Sequence, residues 1–149
     1  MKPVETFILV ADARRAQVYR NRGPGSGLAR IEGMALETRH REAREIMADK
    51  PGRTHERMGT ARHALEYSSD PERIEEKRFA AEVAEMLDRA VTGKACDRLI
   101  VAAPPVMLGD LREAGSAAVK EATVAELDKD LTRIPEQELA SHFESVIAL

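Results

Sequence analysis

Asp12 follows directly on the apolar run Phe7-Ile8-Leu9-Val10-Ala11, which puts a carboxylate at the end of a strand, where a nuclease would hold paired Mg²⁺ ions. One acid does not make such a site. Parallel strands present their ligands at their carboxyl ends, yet the next apolar run, Leu99 to Ala103, ends in Pro104-Pro105, and Asp97 lies at its opposite end. Asp12 is therefore better suited to organising a hairpin turn by accepting backbone N–H bonds.

A second group of candidate residues lies between 39 and 66. Seven Arg or Lys and five acids give this stretch a charge of +2, against −5 for the remainder of the chain, and it holds His40, His55 and His63. The histidine spacings of fifteen and eight match neither a zinc module nor the i, i+4 pair of a helical zinc site. Arg53, Arg62 and His63, with Lys77 just beyond, would form a cationic patch if the segment folds over the start of the following helix; a solvated, salt-bridged surface is the competing reading. The six serines fall in turns, caps or helices with no nucleophile elbow, so no Ser-His-Asp triad is legible. Cys96 precedes an apolar run, where a small buried thiol is expected rather than a nucleophile. The glycine-rich stretch 23 to 27 lacks a following Lys-Ser/Thr and leads into a strand, which excludes a phosphate loop. No cofactor and no metal site are expected.

The elements that must position these residues follow from periodicity. Phe7 to Ala11 is continuously apolar, as in a strand covered on both faces, and Val18-Tyr19 belongs to a second strand after the short connection Asp12 to Arg15. A third strand, about Leu28 to Thr38, breaks its period of two at Gly33, where a β-bulge would restore the facing. Residues 39 to 69 read as a long polar loop, with a helical turn around Glu42 to Ala48. Ser69-Asp70-Pro71-Glu72 starts a helix, with Ser69 as the cap and Glu72 completing a capping box. The stripe Phe79, Ala80, Val83, Ala84, Leu87, Ala90 and Val91 carries that helix to Thr92, and Gly93 ends it. Beyond it come a strand from Leu99 to Ala103, a helix from Val106 to Gly115, a polar strand from Val119 to Leu127, and a last helix from Pro135 with Leu139, Phe143, Val146 and Ile147 on one face. The order β-β-β-α-β-α-β-α predicts an α/β fold. Its five-stranded mixed sheet would start with an antiparallel meander and carry helices on both faces, in a ribonuclease-H-like or ribosomal-protein-like layout.

Composition narrows the partners. The chain has 149 residues, 43% hydrophobic and 33% charged, as expected of one folded domain with a heavily solvated surface. Aromatic residues make up 3% and there is no Trp, which argues against base-stacking recognition of single strands. One cysteine implies a reducing compartment. The amino-terminal segment reads as a strand rather than a signal peptide, and no run approaches the ~20 apolar residues of a membrane span. The expected location is the cytoplasm, with no membrane contact.

Several stretches resemble a known family: Val10-Ala11-Asp12-Ala13-Arg14-Arg15-Ala16; Asp49-Lys50-Pro51-Gly52-Arg53; Gly59 with Arg62-His63-Ala64 and Glu66; Asp70-Pro71 with Lys77 and Phe79; Asp97-Arg98-Leu99 through Ala103-Pro104-Pro105 with Leu108-Gly109 and Leu111-Arg112; and Lys129-Asp130-Leu131-Thr132. In order and spacing they look like the bacterial host-attachment protein family, "protein required for attachment to host cells", over nearly the whole chain. That family is similar in turn to the central domain of archaeal and eukaryotic peptide-chain release factors. The resemblance implies a ribosome or RNA as one class of partner and raises peptide release as an activity. Release factors use a Gly-Gly-Gln motif in the loop entering the long helix, but the only glutamines here are Gln17 and Gln137, both outside residues 39 to 69. No release activity is expected. The expectation is a non-enzymatic binding module acting indirectly from inside the cell, with an unknown macromolecule bound through Asp12, Arg53, Arg62, His63 and Lys77. A translation-associated or RNA-binding protein is the first alternative and a metal-dependent nuclease the second.

Overall fold

A computed structural model describes residues 3–38 and 70–147. Its five strands are β1 (Thr6–Ala11), β2 (Arg15–Asn21), β3 (Ala29–Glu37), β4 (Arg98–Ala103) and β5 (Thr123–Asp128). They form one sheet in the order β3-β2-β1-β4-β5. β1 pairs antiparallel with β2 and parallel with β4, and β5 lies parallel beyond β4. This is the mixed sheet read from the sequence. β1 is central and every one of its residues is buried, as its unbroken apolar run requires.

On one face, helices α1 (Pro71–Thr92), α2 (Pro105–Ala114) and α3 (Ala117–Ala122) cover the sheet. Phe79, Val83 and Leu87 of α1 pack there with Phe7, Leu9, Val18, Leu99 and Val101. On the other face, Ile8, Val10, Tyr19, Ile100 and Leu127 meet Leu131, Leu139, Phe143 and Ile147. Alternation of side chains across the strands divides the two clusters.

The bulge in β3 occurs where the period breaks. Gln17 of β2 faces Ala35 and Tyr19 faces Arg30, so two steps along β2 match five along β3. Gly33, at φ +84°, takes the left-handed conformation that this turn of the backbone needs. The side-chain amide of Gln17 donates to the carbonyls of Ile31 and Met34 at 3.2 and 3.4 Å, satisfying groups that the bulge removes from the ladder.

Three local expectations need correction. Helix α1 is capped by Asp70, whose carboxylate accepts from Glu72 N at 3.0 Å; with the cap at Asp70, Glu72 is too close to close a capping box. Gly93 ends the helix as expected, right-handed at φ −80°, while Lys94 takes the positive φ of 61°. Gly93 is needed there for space, since an added Cβ would meet Arg89 O at 2.8 Å. The first part of the expected strand at Val119 is α3, because Ser116 caps Val119 N at 3.2 Å and Ala, Lys and Glu favour helix. The carboxyl-terminal helix is one short turn, α4 (Glu136–Leu139), followed by a 3₁₀ turn at Ala140–Phe143. Leu139, Phe143 and Ile147 are buried as expected, while Val146 is exposed. The helical turn read around Glu42 to Ala48 lies outside the described residues.

Candidate functional site at the carboxyl edge of the sheet

β1, β3, β4 and β5 all run in one direction, since β2 is antiparallel to both β1 and β3. Their carboxyl ends therefore share one edge. β3 ends at Glu37, and α1 begins at Pro71 with Asp70 as its cap. Helix α1 must return along the sheet to feed β4, so its first turns also lie at this edge. Thr38 is anchored there, its N–H donating to Arg14 O at 2.9 Å.

Asp12 stands at the end of β1, half-buried. Its Oδ1 accepts the N–H groups of Arg14 and Arg15 at 2.8 and 2.7 Å, and its own N–H donates to Arg15 O at 2.9 Å. This is the turn-organising role expected from sequence. Its Oδ2 lies 3.0 Å from Thr132 Oγ1, whose single proton is shared with Asp130 Oδ1 at 2.6 Å. Thr132 thus brings the carboxyl-terminal segment to the hairpin. Among the described residues, no three His, Cys, Asp or Glu side chains are grouped to hold a metal ion. β4 ends at this edge in Ala102 and Ala103, and Pro104 follows; none of the three offers a side-chain ligand beside Asp12.

Lys77 lies in the second turn of α1 and is exposed. Arg53, Arg62 and His63 lie outside the described residues. The structure thus places Asp12 and Lys77 toward one edge, on different elements, and makes no statement about the other three.

An ion pair that the sequence reading missed fixes the start of α1. Arg73 Nη1 and Nη2 bind Asp110 Oδ2 and Oδ1 at 3.0 and 2.9 Å, and Nη1 also meets Glu76 Oε1 at 2.5 Å. Hydrogen bonds to Asp110 and then Glu76 push the guanidinium pKa up, so its charge is constant at any accessible pH. Asp110 is buried on α2 beside Met107, Leu108 and Leu111, and a carboxylate within an apolar stripe was the available signal. At the opposite end of the sheet Cys96 is buried. Burial, with Asp97 and Glu5 adding to it, pushes its thiol up to about 11, which leaves it protonated and unreactive at neutral pH.

The fold and this edge define a class: a mixed-sheet α/β domain with a structural aspartate ending its central strand. Within that class, the family described as "Protein required for attachment to host cells" matches residues 7–143. The chain belongs to this family. No curated protein matches it.

Proposed function

We propose that this chain is a single binding domain without catalytic activity, which contributes to host attachment indirectly, from inside the cell. Its contact surface is the carboxyl edge, including Asp12, Lys77 and the segment bearing Arg53, Arg62 and His63. One observation carries this reading: on the edge where β3 ends and α1 begins, Asp12 already has its carboxylate bound to backbone N–H groups and Thr132. Two backbone N–H groups on Oδ1 tie this carboxylate to the hairpin turn, and a contact surface needs only such a fixed edge. No helix among the described residues is long and apolar enough to cross a membrane.

The test is attachment of a deletion strain complemented with variants expressed to equal levels. Asp12→Asn keeps an oxygen acceptor for the hairpin but abolishes carboxylate chemistry, and attachment should persist. Lys77→Glu and the double change of Arg62 and His63 to Ala should reduce it. Loss with Asp12→Asn in a folded protein, together with Mg²⁺-dependent nuclease activity of the parent, would replace this reading by the nuclease. Salt-dependent co-sedimentation with ribosomes, lost in Lys77→Glu, would instead favour the translation-associated reading that the release-factor resemblance suggests.

A further inference from the structure

The sheet face away from α1 is only partly covered. Leu139, Phe143 and Ile147 lie over its centre, and beside them an open cavity of about 340 Å³ remains over β2 and β3. Val10, Ala35 and Tyr19 give it an apolar side, while Arg15, Gln17 and Arg30 line its polar one. Arg15, Gln17 and Tyr19 alternate along β2 and so share a face, and Arg30 is opposite Tyr19 in register.

The guanidiniums here retain free donors. Arg30 sits over the Tyr19 ring, 5.9 Å from its centroid. Its Nε donates to Glu136 Oε1 at 3.2 Å and its Nη1 to Gln17 Oε1 at 3.4 Å, leaving Nη2 without an acceptor among the described residues. The Arg30–Glu136 pair is solvent-exposed, with side chains 56% and 45% accessible, so it is screened and holds Arg30 weakly. Arg15 is exposed and has no carboxylate partner among the described residues. Gln17 cannot turn toward a ligand, because its amide is committed to the bulge carbonyls.

We propose that this cavity, which adjoins the contact edge through Arg15 and Thr132, binds a small organic monocarboxylate. The carboxylate lies between Arg15 and Arg30 Nη2, and the apolar body rests on Val10, Ala35 and the Tyr19 ring. The planar guanidinium fork matches a carboxylate, and the volume falls in the range of about 300–1,000 Å³ of small-molecule sites. Charge sets the limit of one anionic group. Glu37 lines the same cavity opposite Arg15, and Glu136 adjoins Arg30, so a second negative charge would face a carboxylate. An apolar floor likewise favours an organic anion over a bare inorganic one.

Titration of the isotope-labelled full chain with benzoate, followed by amide chemical shifts at constant ionic strength, tests this. Saturating shifts are expected at Gln17, Tyr19 and Ala35, with weaker binding of inorganic phosphate. Arg15→Gln and Arg30→Gln should each weaken benzoate binding roughly tenfold, the loss of one charged hydrogen-bonding partner. Arg14→Gln, next to the site but not lining it, should leave binding unchanged. If Arg30→Gln disturbs the fold, Arg15→Gln at an exposed position decides alone. Non-saturating shifts spread over all surface arginines, phosphate binding as tight as benzoate, or unchanged affinity in Arg15→Gln would each overturn the proposal.

Discussion

Thr132 Oγ1 lies 3.0 Å from Asp12 Oδ2, bridging residues 120 positions apart. Because Asp12 Oδ1 at the same time accepts from Arg14 and Arg15, one carboxylate both shapes the β1–β2 turn and receives the carboxyl-terminal segment. The side chain most suited to catalysis by type and position is thereby accounted for structurally.

Removing that acceptor should be costly in proportion to the backbone donors it strands. Asp12→Ala is expected to destabilise the protein by about 1–3 kcal/mol, whereas Asp12→Asn, which keeps an oxygen for the turn, should cost less than about 1 kcal/mol. Urea denaturation midpoints decide it. Equal losses for the two variants would show that charge, not acceptance, matters at this position.

The Arg73–Asp110 pair should respond unequally to its two truncations. Asp110 is 8% exposed and Arg73 32%, so Arg73→Ala strands a buried carboxylate, while Asp110→Ala leaves a cation that reaches solvent and still pairs with Glu76. Losses of about 2–4 and about 1–2 kcal/mol are expected respectively. In a double-mutant cycle the combined variant should be less destabilised than the sum of the two. Simple additivity would mean that the pair does not clamp α1 to α2.

Gly33 offers a test of backbone strain free of packing. A Cβ there would meet nothing within 4 Å, yet φ is +84°, so Gly33→Ala should cost about 1 kcal/mol through conformation alone, and Gly33→Asn less. Thermal denaturation of both variants compares them directly, and a neutral alanine variant would place the bulge elsewhere.

Cys96 should make stability depend on alkaline pH. In the folded state its thiol is held at about 11 against an ordinary value of 9.0. The unfolded chain therefore loses the proton first, and the thiol's contribution, complete below pH 9, declines as pH rises toward 11. Cys96→Ala should flatten the wild-type decline in that window. Alkylation of the native thiol should also be slow at pH 8 and rapid in urea; fast native labelling would contradict the burial.

What could be read from the sequence was whatever one element's own pattern determines. β1 and β4 are apolar without interruption because both faces are covered, and the stripe from Phe79 to Ala90 marks the buried side of α1. Gly33 marked the bulge by breaking an alternation. The short helix α3 was not legible: six residues of Ala, Val, Lys and Glu have no period long enough to outweigh a strand reading, and Ser116 discloses itself as a cap only through its bond to Val119. At the candidate site, Asp12 was readable as a turn former because its partners are two and three residues away. Thr132, and the pairing of Arg73 with Asp110, depend on folding distant segments together, which no local pattern encodes. Arg53, Arg62 and His63 lie outside the described residues.

The position of β1 between β2 and β4 has a consequence for the nascent chain. During synthesis β2 is available to β1 almost at once, and β3 soon after. The other edge of β1 must wait for Arg98, and both of its apolar faces stay uncovered until α1 and the carboxyl-terminal segment exist. Most of the chain must therefore leave the ribosome before its most hydrophobic strand is protected, and during that interval an unpaired apolar edge is open to other chains. A slow elongation rate would prolong the exposure, and a chaperone that holds extended apolar segments would find its binding site at Phe7 to Ala11.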